Sequence, residues 1–165
     1  DNYKADNKNL IIRDLNKNFA NITGSFDYIF AMEIIEHLEN QFHFIRNVEK
    51  LMNSKTILFV TTPDVYRKSL RLRFLLTNEI EFFTERDLHG SGHINIIQDH
   101  VFKYNLELSK LTVLRETHNR SYFSKADFKA NSIRFKVFFV LYKLISSFLP
   151  GRDTVEKIYL IKKNI

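Results

Sequence analysis

The apolar positions fall into runs whose spacing predicts the elements. Residues 10–12 (Leu, Ile, Ile) are a short apolar run closed by Asp14, Leu15 and Asn16, which predicts a strand entering a loop. Residues 26–32 form a longer run, rich in aromatic and branched side chains and preceded by the turn pair Gly24-Ser25. That composition predicts a second strand. Helical spacing then takes over: Ile34, Ile35 and Leu38 share one face, and after Asn40 so do Phe42, Ile45, Val48, Leu51 and Met52. Residues 56–61 are near-continuously apolar and stop at Pro63, the pattern of a parallel strand covered by helices on both faces.

Farther along, residues 96–110 read as a helix and residues 111–114 and 157–161 as strands. The stretch between those strands, residues 123–152, is too long for a hairpin and carries a helical run of its own at 132–149. Strand, helix, strand in that order predicts a right-handed crossover. The chain, 1–165, is therefore expected to be a single α/β domain with a helical insertion at 123–152.

Composition narrows the picture further. Sixteen Phe and seven Tyr in 165 residues, 44% of them hydrophobic, supply one globular core and argue against disorder. The absence of Cys excludes disulfides and thiolate metal sites. It fits a reducing cytoplasm; no charged-then-apolar signal segment follows Asp1, a start compatible with a processed or trimmed N-terminus. A net charge of +6 and a pI near 9.5 favour anionic partners. The cations concentrate at Arg67, Lys68, Arg71 and Arg73, and again at Lys129, Arg134, Lys136 and Lys143; each cluster is either a solvated face or a contact for phosphate or carboxylate. Residues 132–149 are interrupted by Lys and Arg and fall short of the ~20 apolar residues of a membrane span. That helix either packs on its own domain, lies on an anionic membrane surface as a peripheral contact, covers a lipid-like substrate, or forms a homodimer contact.

The candidate chemistry lies at the end of the 26–32 strand. Glu33, Glu36 and His37 stand at i, i+3 and i+4, so a helix there would place all three on one face. Two carboxylates and an imidazole can hold a divalent cation such as Mg²⁺ if a fourth ligand joins them, and His93 in the segment GSGHIN (90–95) is the best candidate. Without a cation, His37 can serve as a general base, with Glu36 beside it. A third reading is structural, with the acids favoured at a helix start by its dipole. His43, His89, His100 and His118 have no such partners in sequence and are expected at the surface or in loops. Gly90-Ser-Gly92 follows no strand and reads as a turn.

The string FDYIFAMEIIEHLEN (26–40), the helix after it, and TILFVTTPD (56–64) resemble the second half of class I S-adenosylmethionine-dependent methyltransferases. IIRDLN (11–16) resembles the third strand of that family and VEKIYLIKK (155–163) its closing antiparallel strand. The resemblance implies a Rossmann-like sheet, incomplete at its N-terminal side. It also implies a methyl transfer from S-adenosylmethionine, with Asp14, Leu15 and Met32 beside the cofactor; a plain turn role for Asp14 is the alternative. The Glu-x-x-Glu-His pattern is similar to ubiquinone-pathway O-methyltransferases and to small-RNA terminal 2′-O-methyltransferases, which implies a hydroxyl acceptor. A small molecule, lipid or glycan is the expected acceptor. RNA ranks behind it, because no basic and aromatic residues interleave in an RNA-binding pattern; a catalytically inactive binding module is the other rival. The family's glycine-rich cofactor loop has no counterpart here, since nine residues precede Leu10, so this stretch of chain is expected to bind the cofactor weakly.

Overall fold

The computed structural model describes residues 10–121 and 133–164. The first part of the expected insertion, residues 123–132, lies outside the described residues. Strand β1 (Tyr28–Met32) is followed by a single 3-10 turn (Ile35–His37), helix α1 (Gln41–Leu51) and strand β2 (Ile57–Pro63). Helices α2 (Lys68–Thr77), α3 (Glu85–Gly90) and α4 (Asp99–Leu108) precede strand β3 (Leu111–Ser121). Helix α5 (Ile133–Ser146) and strand β4 (Thr154–Lys163) complete the order.

The four strands form one sheet in the order β1-β2-β4-β3. β1 and β2 run parallel, with Tyr28 opposite Ile57 and Met32 opposite Thr61. β4 runs antiparallel to both of its neighbours and inserts between β2 and β3. The sheet is therefore mixed, and the last two strands are longer than their apolar centres imply.

One face of this sheet makes the core. Ala31, Leu58, Val60, Tyr159 and Ile161 are buried there beneath Phe44, Ile45 and Val48 of α1 and Phe102 and Leu106 of α4. α1 starts where the Asn40 side chain accepts from the His43 N–H at 2.9 Å, satisfying a donor that a helix start leaves open. It ends where Lys163 Nζ donates to the Glu49 and Met52 carbonyls and pairs with the Glu49 carboxylate at 2.5 Å, a cation set against the negative end of the helix. Near the ligand-facing end, Lys157 bridges Asp99 and Glu116, and the Tyr159 hydroxyl donates to Asp99 at 2.8 Å. These bonds tie α4 to β3 and β4.

Three expectations are corrected. Residues 10–12 are not a strand but an exposed, irregular segment, because three residues have no described neighbour to pair with. The 96–110 helix is shorter, starting only at Asp99. Helices cover one face of β1, not both: Tyr28, Phe30 and Met32 are each 60% exposed while Ala31 is 2% exposed. β1 is an edge strand whose second face has no covering layer among the described residues.

Candidate active site at the C-terminal ends of the parallel strands

The chain leaves β1 through Glu33, whose φ of +49° lies in the left-handed region that side-chain-bearing residues rarely adopt. Thr61 at the end of β2 holds it there: its hydroxyl accepts from the Glu33 N–H at 3.0 Å and donates to the Glu33 carboxylate at 2.8 Å. Strain kept by specific bonds at a strand end marks a place where geometry serves something other than stability. The next turn is 3-10, not α-helical. The helical i, i+3, i+4 argument therefore does not apply, and the Glu33 carboxylate is engaged by Thr61 while staying close enough to Glu36 to raise its pKa.

The turn is completed from a distance. Ile94 N–H and Asn95 N–H both donate to the Glu36 carbonyl at 2.9 Å, and the Asn95 side-chain amide donates to the Leu38 carbonyl. Gly92, at φ +77°, supplies the backbone conformation that lets this segment fold onto the turn. These bonds carry His93 to His37. Their ring centroids are 4.6 Å apart, and single ligand atoms of Glu36, His37 and His93 all lie within 4.8 Å of one another.

Each ring is oriented by the backbone. His37 Nδ1 faces the Gly92 carbonyl at 3.2 Å and His93 Nδ1 the Phe82 carbonyl at 2.8 Å. A carbonyl can only accept, so Nδ1 is the protonated nitrogen in both rings and each Nε2 keeps a lone pair. Glu36 is fully buried and neither carboxylate oxygen has a hydrogen-bond partner. Burial, reinforced by the negative charge of Glu33, pushes the Glu36 carboxyl up to about 7; burial raises Glu33 as well. An orphaned buried carboxylate 4.0 Å from His37 Nε2, with a ring nitrogen of His93 close to both, is a donor set that fits a divalent cation. Two imidazoles make it a better match for Zn²⁺, Mn²⁺ or Fe²⁺ than for Mg²⁺, which prefers oxygen.

The expected cofactor residues lie at the same end. Asn16 accepts from the Glu39 N–H at 2.9 Å, which fastens the Asp14–Leu15 loop beside the 3-10 turn. Asp14 accepts from the Asn16 N–H at 3.0 Å and pairs loosely with Lys17 at 3.5 Å, so it does make a turn and its carboxylate is exposed. Leu15 packs against the core, and Met32 is exposed at the end of β1. No glycine-rich loop follows a strand among the described residues.

Sequence reasoning missed His118. It lies half-buried on β3, with Nδ1 3.5 Å from Asp64 and 3.1 Å from the Thr154 hydroxyl, which itself donates to Asp64 at 2.7 Å. A cavity of about 210 Å³ opens beside it, walled by Asp64, Tyr66, Arg71, Glu116, Arg152 and Lys157. No sequence signal connects three residues spaced so far apart; the pairing of β4 with both β2 and β3 brings them together.

No protein-family model matches the sequence, and no curated protein matches it. Solved structures do. A S-adenosylmethionine-dependent methyltransferase from Clostridium acetobutylicum superposes with a TM-score of 0.55 at 12% identity, covering 94% of this chain and 64% of that one. A chain in the complex between the Haloferax volcanii Trm112 methyltransferase activator and its methyltransferase superposes with a TM-score of 0.51 at 8% identity, covering 84% of this chain and 54% of that one. The fold is that of class I S-adenosylmethionine-dependent methyltransferases. This chain spans between about half and two-thirds of the length of these structures.

Proposed function

We propose that the chain is the acceptor-facing part of a S-adenosylmethionine-dependent methyltransferase acting on oxygen in a small molecule, lipid or glycan. The observation that carries the reading is the convergence of Glu36, His37 and His93 where ligands of open α/β folds bind, beyond the carboxyl ends of parallel strands. Bound S-adenosylmethionine would supply an electrophilic methyl group, its S–CH3 bond breaking with S-adenosylhomocysteine as the leaving group. An acceptor hydroxyl lying against His37 Nε2 would give up its proton there as its oxygen takes the methyl, because Nδ1 is already committed to the Gly92 carbonyl. The alternative is a divalent cation held by Glu36, His37 and His93: His37 Nε2 would then be a ligand and not the base, and the cation would lower the pKa of that hydroxyl and fix its direction. Glu36, ionised, balances positive charge at this point, and the Phe82 and Phe83 rings beside His93 narrow the access of water.

The test is transfer of label from methyl-tritiated S-adenosylmethionine, in the whole protein, to catechol, phosphatidylglycerol or an oligosaccharide. Label on an acceptor oxygen is expected. Its loss by about 10²-fold or more in Glu36→Ala, with cofactor affinity unchanged, would place that residue on the acceptor. Label found on RNA instead, or cofactor binding with no transfer to any acceptor, overturns the reading.

A further inference from the structure

The outer side of α5 carries an apolar stripe that nothing described covers. Ile133 is 74% exposed, Val137 54%, Val140 53% and Leu144 65%; at 100° per residue these four fall within about 60° of arc. Leu141 extends the stripe, and Phe148 just past the helix is 85% exposed. Tyr142 on the opposite side is buried. The helix is therefore already seated on the domain by its other face, and its stripe is not its means of packing.

The charges on the helix itself are of one sign. The α5 sequence contains Arg134, Lys136 and Lys143 and no acid. Lys68 Nζ donates to the Ser146 carbonyl at 2.9 Å and Arg71 to the Pro150 carbonyl at 2.7 Å, contacts that place two more cations at the end of α5 without neutralising them. Exposed Arg152 follows. Phe148 thus lies between Ser146 and Pro150, whose carbonyls accept from Lys68 and Arg71.

We infer that α5 and the turn after it dock the protein on an anionic membrane surface, with the stripe and Phe148 at the level of the acyl chains and the cations among phosphate headgroups. The geometry fits an in-plane helix: no described helix is long and apolar enough to cross a membrane. An exposed apolar stripe with cations along its edge can lie in the plane of the interface instead, its lysine stems lying along the apolar surface. A second copy is the poorer occupant. A two-fold contact would set α5 against α5, opposing cations with no acid on the helix to meet them.

Co-sedimentation with vesicles tests this directly. Binding to phosphatidylcholine vesicles containing phosphatidylserine should exceed binding to phosphatidylcholine alone, and should fall with added salt. Phe148→Asp with Leu144→Asp should lower it tenfold or more, with the circular dichroism spectrum unchanged because both positions are exposed. Lys143→Gln should lower it about fivefold, the equivalent of roughly 1 kcal/mol per cation near the surface. Lys55→Gln, in the turn before β2, makes the same change in net charge and should leave binding intact. Equal binding to both vesicle types, no binding to either, equal losses in Lys143→Gln and Lys55→Gln, or a concentration-dependent dimer dissolved by Leu144→Asp would each overturn the inference.

Discussion

His93 meets His37 edge to face at 4.6 Å between ring centroids, and both rings turn Nδ1 to backbone carbonyls of residues they do not adjoin in sequence. Backbone orientation of this kind fixes the tautomer of metal-binding histidines. Calorimetric titration with Zn²⁺ or Mn²⁺ should therefore show one binding event, with Mg²⁺ weaker. His93→Ala should reduce affinity at least tenfold, whereas Glu33→Gln should change it little, because Glu33 is engaged by Thr61. Equal affinities in the parent and His93→Ala would dismiss the site.

Glu36 also predicts a pH dependence. Its carboxyl sits at about 7 in the folded chain, against 4.5 for an ordinary glutamate, so the folded state holds the proton more tightly than the unfolded state. Stability is then greatest below about 4.5 as far as this group is concerned, falls as pH rises towards 7, and is level above it. The loss corresponds to about 3 kcal/mol, since one pKa unit equals about 1.4 kcal/mol. Glu36→Gln should abolish that slope, so that the variant melts above the parent at pH 8 but close to it at pH 4.5. Denaturant titrations at the two pH values measure it. A divalent cation should reverse the trend in the parent, because it binds the ionised form.

Arg67 is fully buried, stacks over the Phe82 ring at 4.7 Å and pairs with Glu81 at 2.5 Å. Removing one member of a buried ion pair is strongly destabilising, by about 3 kcal/mol or more. Glu81→Ala should thus lower the melting temperature by roughly 6–12 °C. Because Phe82 O holds His93, the same variant should also weaken the cation affinity. A melting temperature within about 2 °C of the parent would mean that the pair is dispensable.

The parts of this fold legible in the sequence are those whose signal is local. β1, α1 and β2 announce themselves by a change of period from continuous apolar to helical, and the strand-end motif points to the right corner of the sheet. β3 was not legible beyond residue 114, because Arg115, Glu116, His118 and Asn119 are polar. They are held in a strand by β4, whose Lys157 meets Glu116 at 2.7 Å and whose Glu156 accepts from Asn119. At the site, the helical argument reached Glu36 and His37 through an α-helix that is not there. The real agent is the 92–95 segment folding onto the Glu36 carbonyl, a long-range contact with no periodicity to betray it.

The outer face of β1 gives the last prediction. Tyr28, Phe30 and Met32 alternate with buried Ala31, and Phe30 stacks on Phe59 of the neighbouring strand at 4.8 Å between centroids. An edge strand bearing three large apolar side chains on one face invites pairing with another chain. The 165-residue chain should self-associate through β1 at concentrations where Phe30→Lys does not. The substitution should change unfolding free energy by less than about 1 kcal/mol, as for exposed positions in general, because Phe30 is already 60% exposed. Sedimentation velocity across a concentration series separates the two proteins. If Phe30→Lys instead unfolds the chain while the parent remains monomeric, Phe30 belongs to a covered surface and the open-face description of β1 is wrong.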